Sequence, residues 1–102
     1  QKEAEMAREE LEKLAKIINQ NELFLFSDEM YEHFIYDGLA FVSALSIESL
    51  KERTVVISGF SKIYSITGWR LGYAITQREI IDAASAFNDL IYVCPPAPLQ
   101  NG

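Results

Sequence analysis

The sequence predicts an α/β fold, in three layers, with helices flanking a mostly parallel sheet. Three observations carry that prediction. Leu23-Phe24-Leu25-Phe26 and Thr54-Val55-Val56-Ile57 are short runs unbroken by charge, and each ends abruptly in polar residues. Continuous runs of this length mark strands buried on both faces, as in a parallel sheet. Amphipathic stretches at helical period lie before the first run and near the end of the chain. The resulting order, α-β-α-β-β-α, is that of a sheet covered by helices.

The first helix is expected over residues 3–19, where Ala7, Leu11, Leu14 and Ile18 share one face. On its wet side, Glu9 precedes Lys13 and Glu12 precedes Lys16 by four residues, the favourable direction for such pairs. Asn19 to Asn21 stops this helix, and the first strand follows. Residues 34–46 show little regular pattern and are expected to be loop, and Ile47 to Glu52 a short helix. The second strand, Thr54 to Ile57, is β-branched throughout. Residues 70–75 read as a third strand. Only about a dozen residues separate it from the second strand, which is short for a helical crossover. An antiparallel pairing is therefore compatible with the spacing. Thr76 and Glu79 have the spacing of a capping box. The helix behind them places Ile80, Ala84, Phe87 and Ile91 on one face, and Cys94-Pro95-Pro96 stops or kinks it.

At 102 residues the chain is one domain at most, and its formal net charge of −6 argues against nucleic acid or an anionic membrane as main partners. A local basic pocket for one small anion remains compatible with that charge. One cysteine, Cys94, excludes an internal disulfide framework and fits a reducing, cytoplasmic setting; a buried, small apolar role is expected for it. One His and one Cys give no metal-ligand spacing. No apolar stretch is long enough to span a bilayer, and the first residues show no apolar signal region. The chain lacks a starting Met and ends in Leu-Gln-Asn-Gly, so it reads as a piece of a longer protein.

In open α/β sheets, ligands bind beyond the carboxyl ends of the strands. The first strand delivers Asp28 and Tyr31 there; the second delivers Ser58, Ser61 and Lys62, with Arg70 beyond. Singly, each has a plain reading: a turn cap, packing, a surface charge, a structural ion pair. Together they form a donor set for a phosphorylated aromatic ligand, because hydroxyls, backbone N–H groups and a guanidinium can hold a phosphate. The P-loop pattern and G-x-G-x-x-G are both absent, which weakens a nucleotide reading. An amine kept neutral by a nearby cation and partial desolvation can form a Schiff base with a carbonyl. His33 reads as a loop or surface residue, and Trp69 as core packing.

The stretch Ser58-Gly-Phe-Ser-Lys-Ile-Tyr-Ser-Ile-Thr-Gly-Trp-Arg-Leu-Gly-Tyr73 resembles the lysine segment of class I/II (fold type I) pyridoxal-phosphate aminotransferases. Gly59-Phe60-Ser61-Lys62 matches the small-apolar-small-lysine pattern, and Gly68-Trp69-Arg70-Leu71-Gly72 the G-x-R-x-G that follows. Upstream, Phe24 to Gly38 resembles the same family's Asp-x-x-Tyr segment, and Asp28 precedes Lys62 by the fitting interval of 34 residues.

The resemblance implies roles residue by residue. Lys62 would be the Schiff-base lysine for pyridoxal 5'-phosphate and then a general acid/base. Asp28 would pair with the pyridine nitrogen, and Tyr31 would donate a hydrogen bond to the ring's 3-oxygen. Arg70 would clasp the phosphate, helped by Ser61 or Ser58. One departure leaves the choice of serine open: some members carry a phosphate-binding Ser three positions before the lysine, and here that position is Gly59. The resemblance further implies that residues 1–102 are a single segment of the cofactor-binding large domain, roughly a quarter of an enzyme. The small domain and the upstream part of the large domain would lie outside it. The implied whole is a cytoplasmic homodimer in amino-acid metabolism, moving an amino group between an amino acid and a 2-oxo acid. Carbon–sulfur β-lyases and aminocyclopropane-carboxylate-synthase-like enzymes share these motifs. A non-catalytic fragment, with apolar surfaces serving association, is the alternative from another class.

Overall fold

The structure, a computed structural model, describes residues 2–91. Helix α1 spans Lys2–Gln20, and strand β1 spans Leu25–Asp28. Two 3-10 helices, Ala44–Ser46 and Glu48–Arg53, lead into strand β2, Thr54–Gly59. A short 3-10 turn at Thr67–Trp69 precedes strand β3, Gly72–Ile75, and helix α2 spans Arg78–Ile91. The expected helix stop at Cys94-Pro95-Pro96 lies outside the described residues, as does Cys94 itself.

The sheet has the order β1-β2-β3. β1 and β2 run parallel, with Asp28 opposite Ile57. β2 and β3 run antiparallel, with Gly59 opposite Gly72 and Ser58 opposite Tyr73. Residues paired across a ladder point to the same face, and faces alternate along a strand. Leu25, Ser27, Val56, Ser58 and Tyr73 therefore share one face, and Phe26, Asp28, Val55, Ile57 and Ala74 share the other. α1 packs on the first face, where Ala15 and Ile18 meet Ile47 and Leu50, with Leu11 and Leu25 against them. α2 lies over the second face, across a cavity of about 780 Å³ lined by Phe26, Val55 and Ala74 of the sheet and Ile80, Ile81 and Ala84 of the helix. The three-layer α/β arrangement is thus present, with a mixed sheet at its centre.

Four details depart from expectation. Ala15, not Leu14, turns inward on α1, so the inward stripe runs from half-buried Ala7 and Leu11 to buried Ala15 and Ile18, at steps of four, four and three residues. β1 starts two residues late because α1 exits through Glu22, whose φ is 51°. There the Leu23 N–H donates to the Ile18 carbonyl at 3.0 Å, a Schellman-type closure that uses Leu23 and Phe24 to leave the helix. β1 is consequently half-buried rather than enclosed on both faces; Phe26 is 68% exposed towards the α2 side. The expected capping box does not form. Thr76 Oγ1 donates instead to the Thr54 carbonyl at 2.9 Å, which ties the end of β3 to the start of β2, and α2 begins two residues later. Finally, residues 48–53 wind as a 3-10 helix, a form frequent in connectors but here longer than its common three or four residues.

Candidate active site

The topology gathers the singled-out residues at one end of the sheet. Asp28 ends β1, and the Ser58–Lys62 segment leaves the carboxyl end of the adjacent parallel strand. β3 runs the other way, so its first residues lie at that same end, opposite Gly59. Arg70, just before β3, is thereby brought to the rim; a parallel β3 would have started at the opposite end.

Gly59 makes this convergence possible. A Cβ there would sit 2.8 Å from the Leu71 carbonyl oxygen and 3.0 Å from Gly72 Cα. Both atoms are backbone of the facing segment, so only glycine allows β3 to approach this closely. That accounts for the missing serine three positions before Lys62. By contrast, a Cβ on Gly68 would meet nothing within 4 Å, so close packing does not require that glycine.

Ser58, Ser61 and Arg70 line one cavity of about 430 Å³, together with Met30, Gly72 and Tyr73. Both serines are buried, and the Ser58 hydroxyl donates to the Glu29 carbonyl at a long 3.4 Å. Arg70 adopts a left-handed conformation, with φ 55° and ψ 41°, and its Nη1 donates to the Thr67 carbonyl at 3.1 Å. That bond braces the guanidinium and, among the described residues, leaves most of its five donors unused. The Thr67 hydroxyl in turn donates to the Ser61 carbonyl at 3.2 Å, so the turn carrying Arg70 is fastened to the turn carrying Lys62. Lys62 follows Ser61 in a helical turn closed by the Tyr64 N–H on the Phe60 carbonyl at 3.1 Å, and is exposed.

Asp28 is exposed at the rim, and its Oδ1 accepts the Met30 N–H at 3.1 Å, an Asx turn that starts the 30–33 bend. Tyr31 is exposed in that bend, its ring edge-on to Phe34 at 5.6 Å. Asp28, Tyr31 and Lys62 reach the same rim but do not line the serine–arginine cavity. His33 is exposed, as expected of a loop residue, with Nε2 3.5 Å from Glu32 Oε1. Trp69 is 55% exposed beside Arg70, so the expected core role is corrected: its 3-10 turn projects from the rim.

Two features escaped sequence reasoning. Glu29 is a buried carboxylate, although it sits in a polar strand end that reads as solvated. The signal was its position two residues after Ser27, on the inward face of β1. Tyr73 was the other: it stacks with Phe60 at 5.5 Å and donates to Glu32 Oε1 at 3.4 Å, closing one side of the rim.

The chain that carries this strand-end site superposes on solved aminotransferases. The aromatic aminotransferase from Pyrococcus horikoshii superposes with a TM-score of 0.81 at 39% identity, over 86% of this chain and 24% of that one. The N-succinyldiaminopimelate aminotransferase from Mycobacterium tuberculosis superposes with a TM-score of 0.84 at 30% identity, over 92% of this chain and 24% of that one. The fold is that of the fold type I aminotransferases. Residues 4–101 match the family Aminotransferase class I and II, and the chain belongs to that family. The aspartate aminotransferase of Pyrococcus abyssi is 37% identical over 95 residues, which are 93% of this chain and 24% of that protein. The chain spans about a quarter of the length of the curated relatives it matches.

Proposed function

We propose that the whole protein is a pyridoxal-phosphate-dependent aminotransferase and that this chain is a single segment of its cofactor-binding large domain. The observation that carries the reading is the convergence of two buried serines and a braced arginine on one cavity, beside a lysine turn and a rim carboxylate. The donor set fits a phosphate: hydroxyls and a guanidinium line one space, with no carboxylate among the lining residues.

In this reading Arg70 and Ser61 bind the phosphate. Ser58 is the weaker candidate, because its proton is already directed to the Glu29 carbonyl. The Asp28 carboxylate would keep a proton on the ring nitrogen by charge pairing, and the Tyr31 hydroxyl would donate to the ring's 3-oxygen. Lys62 Nζ would hold the cofactor covalently and, once the substrate's amine has displaced it, would take the proton of the substrate's Cα and return it as general base and acid. When bound, pyridoxal phosphate supplies an electron sink for the pair left behind as that C–H bond breaks. The names of the relatives, aspartate and aromatic aminotransferases, favour amino transfer over β-elimination and point to an acidic or aromatic amino-acid donor with a 2-oxo acid acceptor. A cytoplasmic homodimer completes the proposal, on the family resemblance.

The test uses the full-length protein. Pyridoxal phosphate is expected to give a visible absorbance band that borohydride fixes on Lys62, and an amino acid plus a 2-oxo acid should exchange their amino group. Retention of both the band and borohydride trapping by Lys62→Ala would falsify the assignment of Lys62. Pyruvate and ammonia released from a cysteine conjugate without an acceptor would favour the lyase chemistry instead.

A further inference from the structure

Glu29 is 6% exposed, yet the reading above gives it no task. It touches three separate segments. Its Oε1 accepts the Ala44 N–H at 2.9 Å and the Ser27 hydroxyl at 3.0 Å. Its own N–H donates to the Ile57 carbonyl at 2.9 Å, which extends the β1–β2 ladder one residue past Asp28. Its carbonyl accepts the Ser58 hydroxyl at 3.4 Å. Ala44 opens a 3-10 helix, and its buried N–H would otherwise lack an acceptor. Glu29 is thus a peg, inserted from the α1 side, joining the loop before residue 44 to the ends of both parallel strands. Asp28 and Tyr31 flank it on the rim, and Ser58 hangs from its backbone.

We propose that Glu29 is a positioning residue for the cofactor: its carboxylate, fixed by Ala44 and Ser27, sets where Asp28 and Tyr31 stand at the rim. The inference rests on the cofactor reading above and deepens it. A carboxylate suits the task because one oxygen can accept two donors, and a buried acceptor with good partners locks its backbone more firmly than an apolar contact does.

The experiment compares Glu29→Ala, Glu29→Gln and Ala44→Pro in the full-length protein, reading pyridoxal-phosphate dissociation, the position of the absorbance band, kcat, KM and Tm. Ala44→Pro removes the donated N–H. It is compatible with the backbone, since Ser43 is extended at φ −68° and ψ 147° and proline suits the first position of a helix. Glu29→Ala is expected to weaken cofactor binding by about 10- to 100-fold, as loss of supporting partners does around other prosthetic centres. Its band should shift, and kcat should fall by about 100-fold with little change in KM, because a displacement of ~1 Å at a catalytic group has that effect. Ala44→Pro should weaken binding and shift the band in the same direction. Glu29→Gln keeps the acceptor oxygen and should stay within about threefold of the unaltered protein, since it preserves both hydrogen bonds. A folded Glu29→Ala protein with lowered Tm but unaltered cofactor affinity and band overturns the proposal and reduces Glu29 to a structural role. If Glu29→Ala does not fold, unaltered affinity and band in Ala44→Pro overturn it equally. Loss in Glu29→Gln as large as in Glu29→Ala overturns the hydrogen-bond account. Absence of any cofactor band in the unaltered protein defeats the aminotransferase reading itself, and this inference with it.

Discussion

Leu50, on the α1 side of the sheet, is wholly enclosed, whereas Tyr31, Lys62 and Arg70, at the carboxyl rim, stand in the open. The first region is a packed wedge of Ala15, Ile18, Ile47 and Leu50, assembled from α1 and a segment that β1 and a loop separate from it in the chain. The second is a set of turns held by single hydrogen bonds: Asp28 to Met30, Thr67 to Ser61, Arg70 to Thr67. The contrast separates two jobs. Apolar burial secures the platform and is indifferent to which ligand is bound, while the rim keeps polar groups accessible and braces them just enough to hold their direction. The side of the sheet facing α2 resembles the rim more than the wedge. No residue of α2 is buried, and Phe26 faces an open cavity.

This division can be broken experimentally in the full-length protein. The largest effect is expected at the rim. Lys62→Ala should lower amino transfer by about 10³-fold or more, through loss of a proton-transfer group, while the urea midpoint barely moves. A matching loss of stability would show that the lysine turn also supports the platform. Leu50→Ala should do the reverse: about 2–5 kcal/mol of stability lost in urea unfolding, with the cofactor band of the remaining folded protein unchanged. Gly59→Ala lies on the border. Its Cβ would press on Leu71 and Gly72 backbone atoms, so about 1–3 kcal/mol of stability should be lost together with cofactor affinity, as β3 and Arg70 move out. The smallest and sharpest test concerns the serines. Ser61→Ala should weaken cofactor binding by an amount equal to about 0.5–1.5 kcal/mol, one hydrogen bond, and Ser58→Ala by less. The opposite order, in fluorescence titration with pyridoxal phosphate, would return the phosphate role to Ser58.

Much of this arrangement was legible beforehand. The periodicity of α1, the β-branched run of β2 and the short interval to β3 correctly indicated a helix, a strand and an antiparallel return. The lysine and arginine motifs lie in the two turns that the Thr67–Ser61 hydrogen bond fastens together. What misled was local chemistry with two outlets. Leu23 and Phe24 look like strand, yet the αL turn at Glu22 uses them to exit the helix. Thr76 looks like a cap, yet its hydroxyl finds the Thr54 carbonyl across the sheet. In both cases a hydrogen bond to a distant or turned backbone group outcompeted the local pattern, and sequence spacing carries no record of such partners.

By itself, then, the sequence determined the element order, the apolar stripe of α1 apart from the choice between Leu14 and Ala15, and the identity of the groups at the strand ends. These follow from periodicity and side-chain chemistry, which are local properties. Only the tertiary structure decided that Arg70 returns to the same rim as Asp28, that Gly59 is demanded by a facing backbone, and that Glu29 turns inward to hold Ala44. Each depends on the register and direction of strands brought together across the fold. Register is set by the summed fit of whole faces, so no single stretch of residues encodes it.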